Sequence, residues 1–126
     1  MSDERVQGIV DKWRKILRME DWDITWSFND ALGVDAQVNC WPNERRLKMS
    51  FGRCVMNYGP KEAEETILHE MLHAITDPID EYIRPWIEGF LPMSLQMPFW
   101  ATYNNVAENR VIDDLVRILM GVQWDD

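Results

Sequence analysis

The sequence is poor in cysteine, histidine and positive charge, and each shortage excludes something. It has two cysteines, Cys40 and Cys54, with no CxxC and no second pair. A disulfide framework and a cysteine zinc knuckle are therefore not expected. Thirteen Lys and Arg stand against 22 Asp and Glu, for a formal net charge of −9. Nucleic acid as a partner is set aside on that balance, the one basic cluster being Glu44-Arg45-Arg46-Leu47-Lys48. No apolar run reaches the ~18 residues of a membrane span, and no membrane association is expected. Met1-Ser2-Asp3-Glu4-Arg5 lacks the basic-then-apolar pattern of a secretory signal. The expectation is a cytoplasmic protein with reduced thiols.

What remains is an ordinary globular composition, 46% apolar and 28% charged. The 126 residues suit a single domain, 1–126, whose core needs no covalent staple. Seven tryptophans and eight methionines are generous for this length. They fit either a plain Met/Trp-rich core or an adaptable apolar groove for a peptide. No internal repeat or low-complexity stretch is visible.

Residues 3–19 read as an amphipathic helix, with Val6, Ile9, Val10, Trp13, Ile16 and Leu17 at helical spacing and Ser2 or Asp3 as cap. Residues 23–28 and 46–51 alternate as strands, and 34–41 is a weaker strand ahead of a turn at Pro42-Asn43-Glu44. Short links favour an antiparallel three-stranded meander. A helix is predicted from Pro60 to about Asp77, ending by Pro78. Residues 78–98 hold four of the six prolines and read as a punctuated connector, with one short helix around 79–88. A last helix is predicted from Phe99 to Met120 with Gly121 as its cap. The fold class is α+β.

His69-Glu70-Met71-Leu72-His73 spells HExxH within the predicted second helix. Histidines at i and i+4 stand one above the other, so two imidazoles can converge on one zinc ion. Glu70 lies roughly 100° round the helix from His69, beside the metal without ligating it, where a general base belongs. On the wheel, Glu62, Thr66, Glu70, His73 and Asp77 form a polar face, with Ile67, Leu68, Met71, Leu72 and Ile75 opposite. The plainer alternative is that the histidines only decorate an amphipathic helix. Against it, the chain has two histidines in all and both fall in the motif.

A catalytic zinc site wants a third protein ligand and a water. Glu108 lies in the middle of the apolar face of the last helix, among Asn104, Val111, Ile112, Leu115, Ile118 and Leu119. A buried carboxylate there needs an ion or a partner, so Glu108 is the expected third ligand, a buried salt bridge or hydrogen bond being the other reading. Asp77, Asp80 and Glu81 compete for the position.

This arrangement resembles the gluzincin metallopeptidases, and more closely the compact phage and prophage-type metallopeptidases of that group. The resemblance rests on Leu68 to Ala74, an "LHEMLHA" helix, on Ala107 to Leu115, "AENRVIDDL", and on the order of elements. It implies a minimal zincin-like fold in which His69, His73 and Glu108 bind zinc and Glu70 is the catalytic base. One position differs: larger gluzincins often carry an aspartate four residues after the ligand glutamate, where this chain has Ile112, with Asp113 next to it. Asn104, Asn105 and Asp77 are the candidates to orient the histidines.

The implied activity is zinc-dependent hydrolysis of a peptide or protein substrate. Tyr103 and Tyr82 are candidate oxyanion donors, and equally candidate core residues. Residues 46–51, as an edge strand, could pair with an extended substrate, or could simply carry charge against aggregation. Two rivals stand beside this reading: a zinc-stabilised interaction module without turnover, and a metallohydrolase of a non-peptide amide.

Overall fold

The computed structural model describes residues 2–124, with the side chains of 79–83, 104–105 and 122–124 outside the description. Helix α1 runs Asp3–Ile16. Its cap is Ser2, whose hydroxyl accepts from the Arg5 amide at 3.2 Å. Acidic Asp3 and Glu4 sit in its first turn and basic Arg14 and Lys15 in its last, complementing the helix dipole. Val6, Val10 and Trp13 form its buried stripe.

Three strands follow: β1 (Asp23–Phe28), β2 (Ala36–Trp41) and β3 (Arg46–Phe51). Each lies where alternation predicts it, but the antiparallel meander is not what they form. The sheet is mixed, in the order β1-β3-β2, with β1 parallel and β2 antiparallel to β3. Residues 46–51 are therefore the central strand, and the edge role expected for them is corrected. Burial explains the choice. Leu47, Met49 and Phe51 are fully buried, and each such side chain contributes about 1.5–3 kcal/mol. A strand with so apolar a face is best placed where both its edges are paired. The link from β1 passes the end of β3 to reach β2, so tightly that a Cβ on Gly52 would lie 2.4 Å from the Val34 carbonyl oxygen. The Gly52 amide donates to the Asp35 carbonyl at 2.7 Å and fastens the crossing. From β2 the chain returns through a short 3₁₀ turn, Pro42–Glu44, closed by Arg45 at φ 50°.

Helix α2 spans Pro60–Phe90 and carries Pro78 and Pro85 inside it. The predicted stop at Pro78 is thus corrected, and much of the expected connector is helix. A proline cannot donate to the carbonyl four residues back and disfavours a helical turn before it. Here both prolines are accommodated within a helix of 31 residues. The chain nonetheless divides into two compact units, 1–74 and 75–126, at the carbonyl of Ala74 that Pro78 leaves without a helical donor. In the first unit, Ala63, Ile67, Leu68, Met71 and Leu72 of α2 are buried, as are the α1 stripe, Ile24 and Val55. Glu64 is buried too, accepting from the Trp13 indole at 2.8 Å and the Lys12 ammonium at 2.6 Å.

In the second unit, α2 ends at Phe90 and α3 (Met93–Thr102) begins after Pro92. A π-helical turn, Tyr103–Glu108, joins it to α4 (Asn109–Trp124). Helix therefore continues past Gly121, which is not a cap. No residue of α3 is buried. The buried line of α4 is Ile112, Val116 and Met120, continuing Glu108 at four-residue steps, while Val111 and Ile118 of the expected face are exposed. Ile75 of α2 is likewise exposed, against expectation. The α+β class holds, and no described helix is long and apolar enough to cross a membrane.

Candidate metal centre

The HExxH residues lie within α2, nine or more residues after its start at Pro60 and just before the border of the first unit at Ala74. Leu68, Met71 and Leu72 anchor one side of this stretch in the core, and that turns His69 and His73 to the other side, both partly exposed. Their ring centroids are 5.5 Å apart at an interplanar angle of 67°. Stacked one turn apart, two imidazoles can share one ion, as the spacing requires.

Glu70 between them is 8% exposed. Burial pushes its carboxyl above the usual carboxylate range, while the neighbouring His69 and His73 pull it back down. A buried carboxyl raised above its usual range and flanked by two imidazoles is a setting suited to proton transfer.

Glu108 closes the π-helical turn and is 7% exposed. Such turns widen a helix by one residue and are frequent at functional positions, since the extra residue re-aims its neighbours. Thr76, also buried, donates its hydroxyl to Glu108 Oε1 at 2.9 Å. Asp77 is the next residue of α2 and is partly exposed. Asp77 and Glu108 each offer a carboxylate oxygen, within 4.8 Å of one another in the second unit. His69 and His73 lie side by side in the first unit, His73 one helical turn before Asp77 on α2.

Imidazole nitrogens and carboxylate oxygens are both donors that zinc accepts, as do other divalent cations. Asp77, the rival of Glu108 in the sequence, lies beside it in the second unit. Asp80, Glu81, Tyr82, Asn104 and Asn105, the other candidates, have side chains outside the described residues. Tyr103 is partly buried and stacks on Phe99, ring centroids 6.0 Å apart and 9° from parallel. The hydroxyl of Thr76 is the participant that sequence reasoning missed. Its signal was its place on α2, three residues after His73, on the turn where a long-range acceptor would meet it.

Searches against known proteins find no matching family model, no matching curated protein and no matching solved structure.

Proposed function

We propose that this chain is a zinc-dependent peptidase in which His69, His73 and Glu108 hold the metal and Glu70 is the general base. The observation that carries the reading is Glu70 itself: a buried carboxyl with an elevated pKa, set between two histidines one turn apart. A site that only bound metal for structural reasons would need the histidines and would have no use for an expensive buried acid between them. When bound, zinc would act as a Lewis acid, polarising a carbonyl and making water more acidic.

The protein's own groups do the rest. Glu70 takes a proton from the attacking water and returns it to the leaving amine, for which a carboxyl pKa raised by burial is suited. Thr76 fixes one oxygen of Glu108 and so limits the directions in which the carboxylate can face. Asp77 adds negative charge beside His73 and favours a ring that keeps its ligand nitrogen aimed. The substrate is a peptide or protein chain.

The second reading, an interaction module stabilised by zinc, draws on one observation. Trp86, Phe90, Met93 and Met97 of the second unit are exposed by 58%, 76%, 80% and 81%. Apolar side chains so open to water are what a docking surface offers.

Replacement of Glu70 by Gln separates the two. The peptidase reading expects a folded protein with undiminished zinc content and hydrolysis of a casein or peptide-library substrate reduced by about a hundredfold or more, as removal of a base that contributes 10²–10⁴ would produce. Hydrolysis equal to that of the unchanged protein would reject Glu70 as base.

A further inference from the structure

A strand with an open edge lies in the first unit, away from the residues discussed above in sequence and element. Among the described residues, β1 is paired on one side only, by β3. The Asp23 amide donates to the Arg45 carbonyl and the Asn29 amide to the Phe51 carbonyl, each at 2.8 Å. Those two bonds fix the phase of the strand. With a period of two, the amides and carbonyls of Thr25 and Ser27 turn toward β3, and those of Ile24, Trp26 and Phe28 turn to the open side.

A groove of about 570 Å³ is lined by residues 24–28 of β1 and by Asp3 and Gln7 of α1. Gln7 is held in place, its carbonyl oxygen accepting from the Trp26 indole at 2.8 Å and its amide donating to Asp11 at 2.9 Å. Asp3 is the one charged side chain among the described lining residues, and it is exposed. Edge strands are usually blunted by Lys, Pro or a bulge. β1 reads Asp-Ile-Thr-Trp-Ser-Phe, with no proline, no basic residue and an unbroken register to β3.

We propose that the open edge of β1 is a docking site for an extended polypeptide segment of a partner, which adds to the sheet as a fourth strand and places a Lys or Arg against Asp3. Three alternate residues offering both donor and acceptor are the requirement for strand addition, and the groove supplies room for the incoming backbone. The charge argument selects the occupant. Asp3 in the wall, Glu4 beside it and a net charge of −9 favour a basic segment over a second copy of this chain, which would bring the same negative surface. The proposal is independent of zinc and of hydrolysis.

The test uses the full chain, and in parallel its His69→Ala variant, with a synthetic peptide of about eight alternating threonine and valine residues carrying one central lysine. Amide hydrogen exchange at Ile24, Trp26 and Phe28 should slow on addition of the peptide, in both proteins. N-methylation of the peptide's alternate amides should abolish the effect. Exchanging its lysine for glutamate should weaken binding about fivefold, the scale of one exposed ion pair, and Asp3→Lys should reverse that preference. No protection at millimolar peptide, equal binding of the methylated peptide, or protection that rises with protein concentration alone would each overturn the proposal, the last by showing that a second copy covers the strand.

Discussion

The hydroxyl of Thr76 donates to Glu108 Oε1 at 2.9 Å, with both residues buried. A carboxylate placed mid-face on an apolar helix is costly unless it is bonded, and this bond satisfies one of its oxygens while steering the other. Thr76→Val keeps the shape and removes the donor. It should lower stability by about 1–2 kcal/mol in urea unfolding and weaken zinc binding about tenfold or more, as loss of an outer hydrogen bond does at metal sites. Unchanged affinity would separate Thr76 from the metal.

Trp13 and Lys12 both donate to the buried carboxylate of Glu64, at 2.8 and 2.6 Å. The indole is fully buried, whereas the Lys12 side chain is 38% exposed. Trp13→Phe should therefore destabilise more than Lys12→Met, by about 3 kcal/mol against about 1, since the first leaves a gap in the core as well as losing a donor. Thermal or denaturant unfolding of the two variants checks the order.

Two glycines should respond oppositely to alanine. At Gly52 a Cβ would strike the Val34 carbonyl at 2.4 Å, and backbone cannot yield cheaply there. Gly52→Ala should destabilise by about 2 kcal/mol or more. Gly8 lies within α1 with nothing within 4 Å of its would-be Cβ. Gly8→Ala should stabilise by up to about 1 kcal/mol through helix propensity.

Asp35 accepts from the Tyr58 hydroxyl at 2.5 Å and from Cys54 Sγ at 2.9 Å. These bonds hold its carboxyl below the usual range, and they raise the phenol and the thiol above theirs. The signs follow from linkage. The Tyr58 contribution is complete below the ordinary phenol pKa and fades as pH rises through its elevated one. The Asp35 contribution is present above the ordinary carboxyl pKa and fades as pH falls through its depressed one. In a phenolate absorbance titration, one tyrosine should ionise far above the usual range. Cys54 should alkylate more slowly than a free thiol at mildly alkaline pH, because thiolate is the nucleophile. Asp35→Asn should return the tyrosine toward its ordinary value and speed alkylation several-fold. No change in either would detach Asp35 from both groups.

Local patterns were legible in the sequence because local physics decides them. The alternation of Leu47, Met49 and Phe51 announced β3, and the Ser2 cap with the Val6, Val10 and Trp13 stripe announced α1. The order of strands was not legible, because pairing depends on which strand most needs two neighbours and on a crossing that Gly52 permits. Pro78 and Pro85 read as helix breaks, since each removes one donor, yet α2 continues through both. Of the candidate site, the spacing of His69, Glu70 and His73 and the inward side of Glu108 could be read directly. The π-helical turn ending at Glu108 could not, for a helical wheel assumes a constant 3.6-residue period; nor could the exposure of Val111 and Ile118, which lie on one flank of Glu108 while packing buries the other flank, Ile112, Val116 and Met120.

The most direct measurement is metal content of the protein purified without added metal, alongside His69→Ala, Glu108→Ala and Asp77→Ala. The proposed site predicts one zinc per chain, lost on replacing His69 or Glu108 and retained at reduced affinity without Asp77. A metal-free protein that rejects added zinc, or equal zinc in all four proteins, would contradict it.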